Sequence, residues 1–377
     1  HLEGVNEMRT DLWGWFNRFA AQAIISGDPL RQQMTLLYDK GWESLRAEKH
    51  DNALDYFETA LQIARQLQLP CWVLFFDYWC AETLIFYKNT YQAGLDRAVR
   101  MIAGAHKDDY VDCPVRGRAY YTLMYIYYAM DVIGYEDKIR EMITFMEREI
   151  PLDDDTFQRM QYTQAALAQA TEDYTTAEHI IQQYLNMTIG NAHRQSGGFN
   201  MMRLIAYARG DIAQAYEYAL QSETHARYAR LQNSVAIAIL FRASHALRLG
   251  KEDEAHTLHQ RGMTHFERYH LRPLPAYYDA ICEYHELAGN LPKARFLRQE
   301  QRRAMETIGS PHYIAHAHLA YARLLGRLGE DTSDALQTTR QKADALLKPA
   351  HFLGKVDAVE GGNYYRYAWQ ADNDTSI

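Results

Sequence analysis

Histidines are the side chains of this sequence best spaced to bind a metal ion. His312 and His316 lie four residues apart, which places both rings on one face of a predicted helix, as in many zinc sites. A zinc protease would also need a glutamate directly after the first histidine and a third ligand in register, and the sequence has neither. A second histidine group lies at His256, His259, His265 and His270. We therefore expect packed or solvated histidines, with a structural or adventitious metal as the alternative.

Three consecutive aspartates, Asp153–Asp155, are the other cluster that could bind a cation. A calcium loop needs ligands at alternating positions around a glycine turn, and this stretch has no such arrangement. The cluster is instead expected to cap the helix that follows it. The sequence also has no phosphate loop, no glycine-rich dinucleotide fingerprint and no nucleophile elbow. It therefore favours a non-catalytic protein that uses no cofactor.

Glycines recur at a fixed spacing through the second half of the chain. Gly210, Gly250, Gly289 and Gly329 are separated by 40, 39 and 40 residues. Each is followed by an alanine, at Ala215, Ala255, Ala294 and Ala335. A glycine ends a helix in the left-handed conformation, and a small alanine lets two helices cross closely. The pattern predicts helix–turn–helix units of about 40 residues.

Similar turns extend the series towards the N-terminus. Residues 171–177 lack the glycine, residues 134–139 have isoleucine in place of alanine, and residues 89–93 and 49–53 complete the set. Together the marks indicate about eight units. A single helical hairpin cannot bury its apolar stripe, whereas stacked hairpins can, so the units are expected to form a solenoid.

The turn Gly-Asp-Ile-Ala-Gln-Ala at 210–215 resembles that of the tetratricopeptide repeat superfamily, and Leu-Gly-Lys-Glu-Asp-Glu-Ala at 249–255 is close to it. The resemblance covers roughly residues 34–348. The repeat period of this chain, about 40 residues, exceeds the ~34 residues that are usual in the family. In the length of its repeats, the chain resembles the long-repeat variety found in bacterial regulators like the maltose activator and in peptide sensors. The resemblance implies an all-α, right-handed superhelical solenoid.

In that family the first helix of each pair lines the concave groove, where a peptide or protein partner binds. The family's groove positions fall on Tyr38, Trp42, Tyr78, Glu82, Tyr121, Tyr128, Arg159, Tyr162, Asn200, Arg203 and Tyr207, and later on carboxylates at Asp279, Glu283 and Glu286. Tyrosine offers a wide contact area at low entropic cost, and arginine grips carboxylates. The alternative is that these tyrosines pack between repeats.

Composition narrows the class of partner. The net charge of −8 argues against a general nucleic-acid or acidic-membrane binder, although a local basic patch stays open. The most apolar stretch, residues 71–87, is interrupted by Asp77 and Glu82, which predicts a buried helix rather than a membrane span. No secretory signal is visible and no pair of cysteines has CxxC spacing, so we expect reduced cysteines and a cytoplasmic protein.

We expect three regions: a tag remainder and capping helix over residues 1–33, the solenoid over residues 34–348, and a C-terminal capping helix and tail over residues 349–377. The aromatic-rich helix over residues 5–26 either caps the first repeat or docks a partner, and Trp13, Trp15 and Phe16 are its candidates for self-association. Residues 190–198 are expected to form a polar, mobile loop, and residues 372–377 a frayed end.

Two functional hypotheses stay open. The first is a peptide- or protein-binding adaptor without catalytic activity, which uses the concave groove. The second is a sensor module of a larger bacterial signalling or transcription-regulating ATPase, which binds a small ligand or holds a partner domain inactive. Neither hypothesis includes direct binding of nucleic acid or of a membrane.

Overall fold

The computed structural model describes residues 11–105, 110–271 and 273–373, and every regular element in those ranges is helical. The chain divides into two compact units, of which unit 1 ends at Met160 and unit 2 begins at Gln161. The expected all-α repeat fold is therefore confirmed.

Unit 1 begins with a single helix and continues as helical hairpins. Its helices are α1 (Leu12–Ser26), α2 (Pro29–Arg46), α3 (His50–Gln66), α4 (Pro70–Glu82) with a π-helical turn (Thr83–Tyr87), α5 (Tyr91–Ala105), α6 (Arg116–Asp131), α7 (Glu136–Glu149) and the start of α8 (Asp154–Ala170). From α1 to α7, helices adjacent in sequence pack together, and α4 also packs against α6. Contact between alternate helices is the stacking pattern of a repeat array.

Unit 2 continues the same pattern. After the rest of α8 its helices are α9 (Tyr174–Met187), α10 (Ala192–Ala208), α11 (Ile212–Tyr228), α12 (Gln232–Arg248), α13 (Glu252–Arg268), α14 (Pro275–Leu287), α15 (Leu291–Ile308), α16 (Pro311–Arg327), α17 (Ser333–Ala343), α18 (Pro349–Glu360) and α19 (Ala368–Asn373). The pairs run from α2/α3 to α16/α17, and we call the even-numbered member of each the first helix.

The four predicted turn glycines adopt the left-handed conformation. The φ angles of Gly210, Gly250, Gly289 and Gly329 are 83°, 72°, 70° and 69°. The alanines that follow the first three turns, Ala215, Ala255 and Ala294, are fully buried. Both observations agree with the role inferred from the spacing, because a larger side chain at the alanine would separate the two helices.

The less regular turns reach the same geometry by other means. Glu172 takes the glycine position of its turn with a φ of 64°, which is strained for a residue with a β-carbon. At the turn before α7, Gly134 has no left-handed φ, and its N–H donates to Asp131 Oδ1 at 3.0 Å. An aspartate side chain thus closes the turn that a left-handed glycine closes elsewhere.

The expected loop over residues 190–198 is wrong for most of its length, because α10 already begins at Ala192. Asn191 caps this helix by accepting a hydrogen bond from the Arg194 N–H at 3.2 Å. A Cβ added at Gly198 would lie 2.5 Å from a methyl carbon of Leu185. The glycine therefore permits close helix packing rather than a flexible loop.

The aromatic helix α1 packs on the first two repeats. Trp15 stacks on Trp72 with ring centroids 4.2 Å apart, and Phe19 lies 4.0 Å from the same ring. Phe16 is buried, whereas Trp13 keeps 42% of its surface exposed. These contacts favour the capping interpretation over the docking one. Residues 5–10 of the predicted helix lie outside the described residues.

The apolar stretch over residues 71–87 is a buried helix, as predicted. Trp72, Phe75, Phe76 and Ile85 each have less than 5% of their surface exposed. No helix among the described residues is both long enough and apolar enough to span a bilayer.

The expectation of four reduced cysteines is wrong, because Cys71 and Cys113 form a disulfide. The two residues are 42 positions apart, which is about one repeat period, and stacking places the starts of α4 and α6 side by side. The prediction of reduced cysteines was based only on the absence of short CxxC spacings. Cys80 and Cys282 are buried and unpaired as thiols. The argument for a cytoplasmic location from reduced cysteines therefore no longer stands.

Loss of this disulfide should destabilise unit 1. We expect the Cys71→Ser/Cys113→Ser variant to lose about 2 to 4 kcal/mol of unfolding free energy, because the cross-link restricts the unfolded chain. Urea unfolding of the wild type with and without reductant should show the same loss. Reductant should leave the double variant unchanged, and a wild type indifferent to reductant would contradict the pairing.

Candidate functional site

The sequence-predicted site residues divide between the two units, all on first helices. Unit 1 carries Tyr38, Trp42, Tyr78, Glu82, Tyr121, Tyr128 and Arg159, and unit 2 carries Tyr162, Asn200, Arg203 and Tyr207.

Most predicted tyrosines of unit 1 are packed inside it. Tyr38, Tyr78 and Tyr121 are 6%, 1% and 6% exposed, whereas Trp42 and Tyr128 are half-buried. The indole N–H of Trp42 donates to the Tyr38 hydroxyl. Burial, followed by the neighbouring Glu82 carboxylate, raises the pKa of the Tyr78 hydroxyl. The packing alternative therefore describes Tyr38 and Tyr78 better than an open groove does.

Glu82 and Arg159 meet beside the tyrosines. Arg159 Nη1 lies 3.6 Å from Glu82 Oε2, and its Nε lies 3.0 Å from Asp155. The Thr122 hydroxyl donates to Glu82 Oε1 at 2.8 Å, and the Arg159 guanidinium lies over the Tyr121 ring. Burial raises the pKa of Glu82, although Arg159 and Thr122 act in the opposite direction.

Sequence reasoning missed Arg118, which completes this network. Its guanidinium makes two hydrogen bonds to Asp153, of 3.1 and 3.0 Å, and both side chains are largely buried. Asp153 also accepts a hydrogen bond from the Thr156 N–H at 3.1 Å, so the predicted cap on α8 is confirmed. The same aspartate is therefore both the helix cap and the partner of Arg118. Arg118 lies directly before the apolar and aromatic run of α6, and this position was the signal that could have revealed it.

In unit 2, polar side chains of three consecutive first helices meet around Tyr207. The Tyr207 hydroxyl on α10 donates to Glu283 Oε1 on α14, and the same oxygen accepts from Arg248 Nε on α12 at 3.1 Å. The Tyr207 ring stacks on His245 with centroids 5.0 Å apart. Tyr207 and Glu283 were expected on this face, and the structure brings them into contact with each other and with Arg248.

Arg203 lies one helical turn before Tyr207 and is 3% exposed. Its Nε donates to Asn200 Oδ1 at 3.0 Å, and its guanidinium carbon lies 3.6 Å from the centre of the Phe241 ring. Burial lowers the pKa of Arg203 to about 10 despite the opposing effect of Glu283. Tyr162 is half-buried, and its ring lies 5.7 Å from that of Tyr184 rather than in this group.

A second polar network lies further along unit 2. Glu286 on α14 accepts from Arg298 Nε at 2.9 Å and from Arg327 on α16. Arg298 also donates to Gln301, whose amide donates to Asp279. Burial alone would raise the pKa of Glu286, but the two arginines outweigh it and hold that pKa below its ordinary value.

The surface around Tyr207 is covered by a part of the chain that the repeat pattern did not place. We call residues 364–370, which follow α18 and include the start of α19, the C-terminal segment. Its Tyr367 and Trp369 rings pack edge-on against Tyr207 with centroids 5.8 and 5.2 Å away. Its Gln370 amide donates to the Tyr207 hydroxyl at 3.2 Å.

The histidine pair at the start of α16 is packed against other side chains. The rings of His312 and His316 have centroids 4.4 Å apart, and His316 lies 5.1 Å from Phe352. Among the described residues no three metal-ligating side chains converge. Burial, followed by nearby Arg366 and Lys355, lowers the pKa of His312 to about 4.

This histidine makes stability depend on pH. Because the pKa of His312 is lower in the folded chain than its usual 6.5, the unfolded chain binds the proton more readily, and stability falls as pH drops from 6.5 towards 4. At pH 5 we expect a cost of about 1 kcal/mol, discounted for partial exposure. The His312→Gln variant should lose less stability between pH 7 and pH 5 than the wild type in urea unfolding. The exposed His351→Gln variant should behave as the wild type, and identical slopes for all three would refute the assignment.

With the fold and these contacts established, comparison with known proteins is informative. No protein-family model matches the chain, and no curated protein matches it significantly. Among solved structures, it is similar to the apo form of the quorum sensor NprR from B. thuringiensis, with a TM-score of 0.56 and 16% identity over 89% of this chain and 97% of that one. The chain shares the helical-repeat fold of that sensor. At this identity the likeness establishes the fold alone.

Proposed function

We propose that this chain is a non-catalytic regulatory module that binds a peptide on the first-helix face of unit 2. The observation that carries the proposal is the convergence of Tyr207, Arg248 and Glu283 from three consecutive first helices. A surface assembled from successive repeats is long in one direction, which suits an extended peptide.

The chemistry of this face supports a peptide ligand. A tyrosine ring offers apolar contact, Arg248 and Glu283 offer opposite charges, and the Asn200–Arg203 pair offers further hydrogen-bonding groups beside them. Peptide recognition combines aromatic anchors with polar groups that pair with the ligand backbone and termini. The likeness to a quorum sensor supports a regulatory role of the same general kind.

A small ligand in unit 1 has less support. The surface depressions there, of about 410 and 460 Å³, lie between α5 and α7 and along α7, away from the predicted groove side chains. Tyr38, Tyr78 and Tyr121 of unit 1 are buried, and Tyr38 packs against Trp13 and Phe16 of α1. We therefore propose ligand binding in unit 2 rather than in unit 1.

Peptide selection followed by photo-crosslinking tests this proposal. The full-length chain is panned against a displayed random peptide library, and selected peptides are tested with p-benzoylphenylalanine in place of Asn200 or of Tyr228. Position 200 lies beside Arg203 on α10, whereas Tyr228 ends α11 and is 78% exposed. Selected peptides should cross-link at position 200 and not at position 228.

Two results would contradict the proposal. One is cross-linking at position 228 alone, which would place peptide binding on a second helix. The other is failure of the library to yield any peptide that binds the full-length chain. Circular dichroism of each substituted protein establishes that the helical fold is retained.

A further inference from the structure

The C-terminal segment crosses the first-helix face of unit 2 from its last repeat back to α10. It leaves α18 through Gly361 and Gly362, of which Gly362 has a φ of 93°. The Tyr364 ring lies over Gly326 on α16, where any added Cβ would overlap it. The next residue, Tyr365, lies under the Arg327 guanidinium at 6.0 Å. The segment therefore begins its path on α16.

Its second half reaches the Tyr207 group. The rings of Tyr367 and Trp369 are nearly parallel, with centroids 6.3 Å apart and planes at 6° to each other, and both meet the Tyr207 ring edge-on. The Arg248 guanidinium lies 5.1 Å from the centre of the Trp369 ring. Trp369 also fills the space beside Gly210, where a Cβ would lie 3.1 Å from the indole. Two aromatic side chains are thus anchored where we propose ligand binding.

Gln370 fixes the conformation of the segment and joins it to the surface. Its side-chain oxygen accepts from the backbone N–H groups of Arg366 and Tyr367, each at 3.0 Å. Its side-chain nitrogen donates to the Tyr207 hydroxyl, and the residue is only 9% exposed. Aromatic anchors with a buried amide contact are the usual means of holding a bound peptide.

We propose that the C-terminal segment is a resident occupant of the peptide-binding face, and that the external ligand is a peptide with two aromatic residues separated by one residue, which displaces the segment. The motif it would imitate is Tyr367-Ala368-Trp369-Gln370. This inference rests on the proposed function, because it assigns an occupant and a ligand chemistry to the same surface.

Tethering makes the resident segment a strong competitor. A short flexible link gives an effective concentration of the order of 1 mM, so a free peptide with the same contacts binds the intact chain weakly. The apparent dissociation constant rises in inverse proportion to the fraction of molecules with an open face. Weakening the segment should therefore raise the affinity for external peptide.

The test uses a fluorescent synthetic peptide with the sequence of residues 361–371 and the full-length chain. Fluorescence polarisation should show binding to the Tyr367→Ala/Trp369→Ala variant at least about tenfold tighter than to the wild type. The matched control is Tyr269→Ala/Phe296→Ala, which removes two exposed aromatic side chains of unit 2, 43% and 51% exposed. This control should bind like the wild type.

Three outcomes are informative. Tight binding to the double variant alone supports the inference. Equal binding to wild type and variant overturns it, while library peptides that cross-link at position 200 would leave the proposed function intact. Absence of binding to every protein also overturns it. If the double variant fails to fold, the milder Gln370→Ala variant takes its place. Hydrogen exchange gives a second measurement, because excess free peptide should speed the exchange of residues 364–370 in the wild type.

Discussion

Replacement of Glu286 by glutamine should destabilise unit 2 by about 3 to 5 kcal/mol, because it leaves two arginines without their buried anionic partner. The carboxylate is 5% exposed and accepts hydrogen bonds from Arg298 and Arg327 on two different helices. Urea unfolding followed by circular dichroism measures the loss. A decrease below 1 kcal/mol would mean that solvent, rather than Glu286, balances these charges.

The same substitution should also change how the unfolding free energy depends on pH. Because the pKa of Glu286 is lowered on folding, its contribution to stability is present above the unfolded value of about 4.5 and is lost as pH falls through the folded pKa. The variant should lack this part of the acid dependence. The control is Glu300→Gln on α15, whose carboxylate pairs with the exposed Arg303, and we expect it to change stability by about 0.5 kcal/mol or less.

The second large effect is expected for Trp72→Ala in unit 1, at about 3 to 5 kcal/mol. Trp72 is 4% exposed, and its ring contacts Trp15, Phe16 and Phe19 of α1. Its removal leaves a cavity and also takes away the surface on which α1 packs. Besides the lower unfolding free energy, we expect faster proteolytic cleavage within α1.

Trp13→Ala is the matched control, because Trp13 is a tryptophan of α1, the helix that packs on Trp72, but is 42% exposed. Its ring contacts Tyr38 and the Arg118 guanidinium, which contribute about 1 kcal/mol or less at an exposed site. If both tryptophan variants lost the same stability, the expected difference between the buried Trp72 on α4 and the exposed Trp13 on α1 would be refuted.

The sequence predicted the repeat architecture well because its signals are local. A glycine that ends a helix and an alanine at a close crossing act within a few residues, and Gly210 with Ala215 or Gly250 with Ala255 have the predicted conformations and burial. The expected loop before α10 failed for a related reason. Glycine occurs both in flexible loops and where helices pack closely. Only the closeness of the Leu185 side chain shows that Gly198 is a packing glycine.

The site was less predictable because it depends on contacts between distant residues. The repeat register placed Arg159, Tyr207 and Glu283 on first helices, yet it could not tell a buried tyrosine such as Tyr78 from a solvent-facing one. A ligand-binding role for the predicted groove residues stays a prediction. The Cys71–Cys113 pair depends on the stacking of neighbouring repeats, and a search for short cysteine spacings did not detect it.

The contact between Gln370 and Tyr207 joins residues 163 positions apart, whereas a repeat array is otherwise built from neighbouring pairs. Local contacts form quickly, and each closure of a long chain segment slows folding. During synthesis, the C-terminal segment leaves the ribosome after every helix that it lies against. The repeats of unit 2 are therefore expected to stack first, with the Tyr207 surface uncovered, and in a newly made chain the proposed peptide ligand would for an interval meet no competitor.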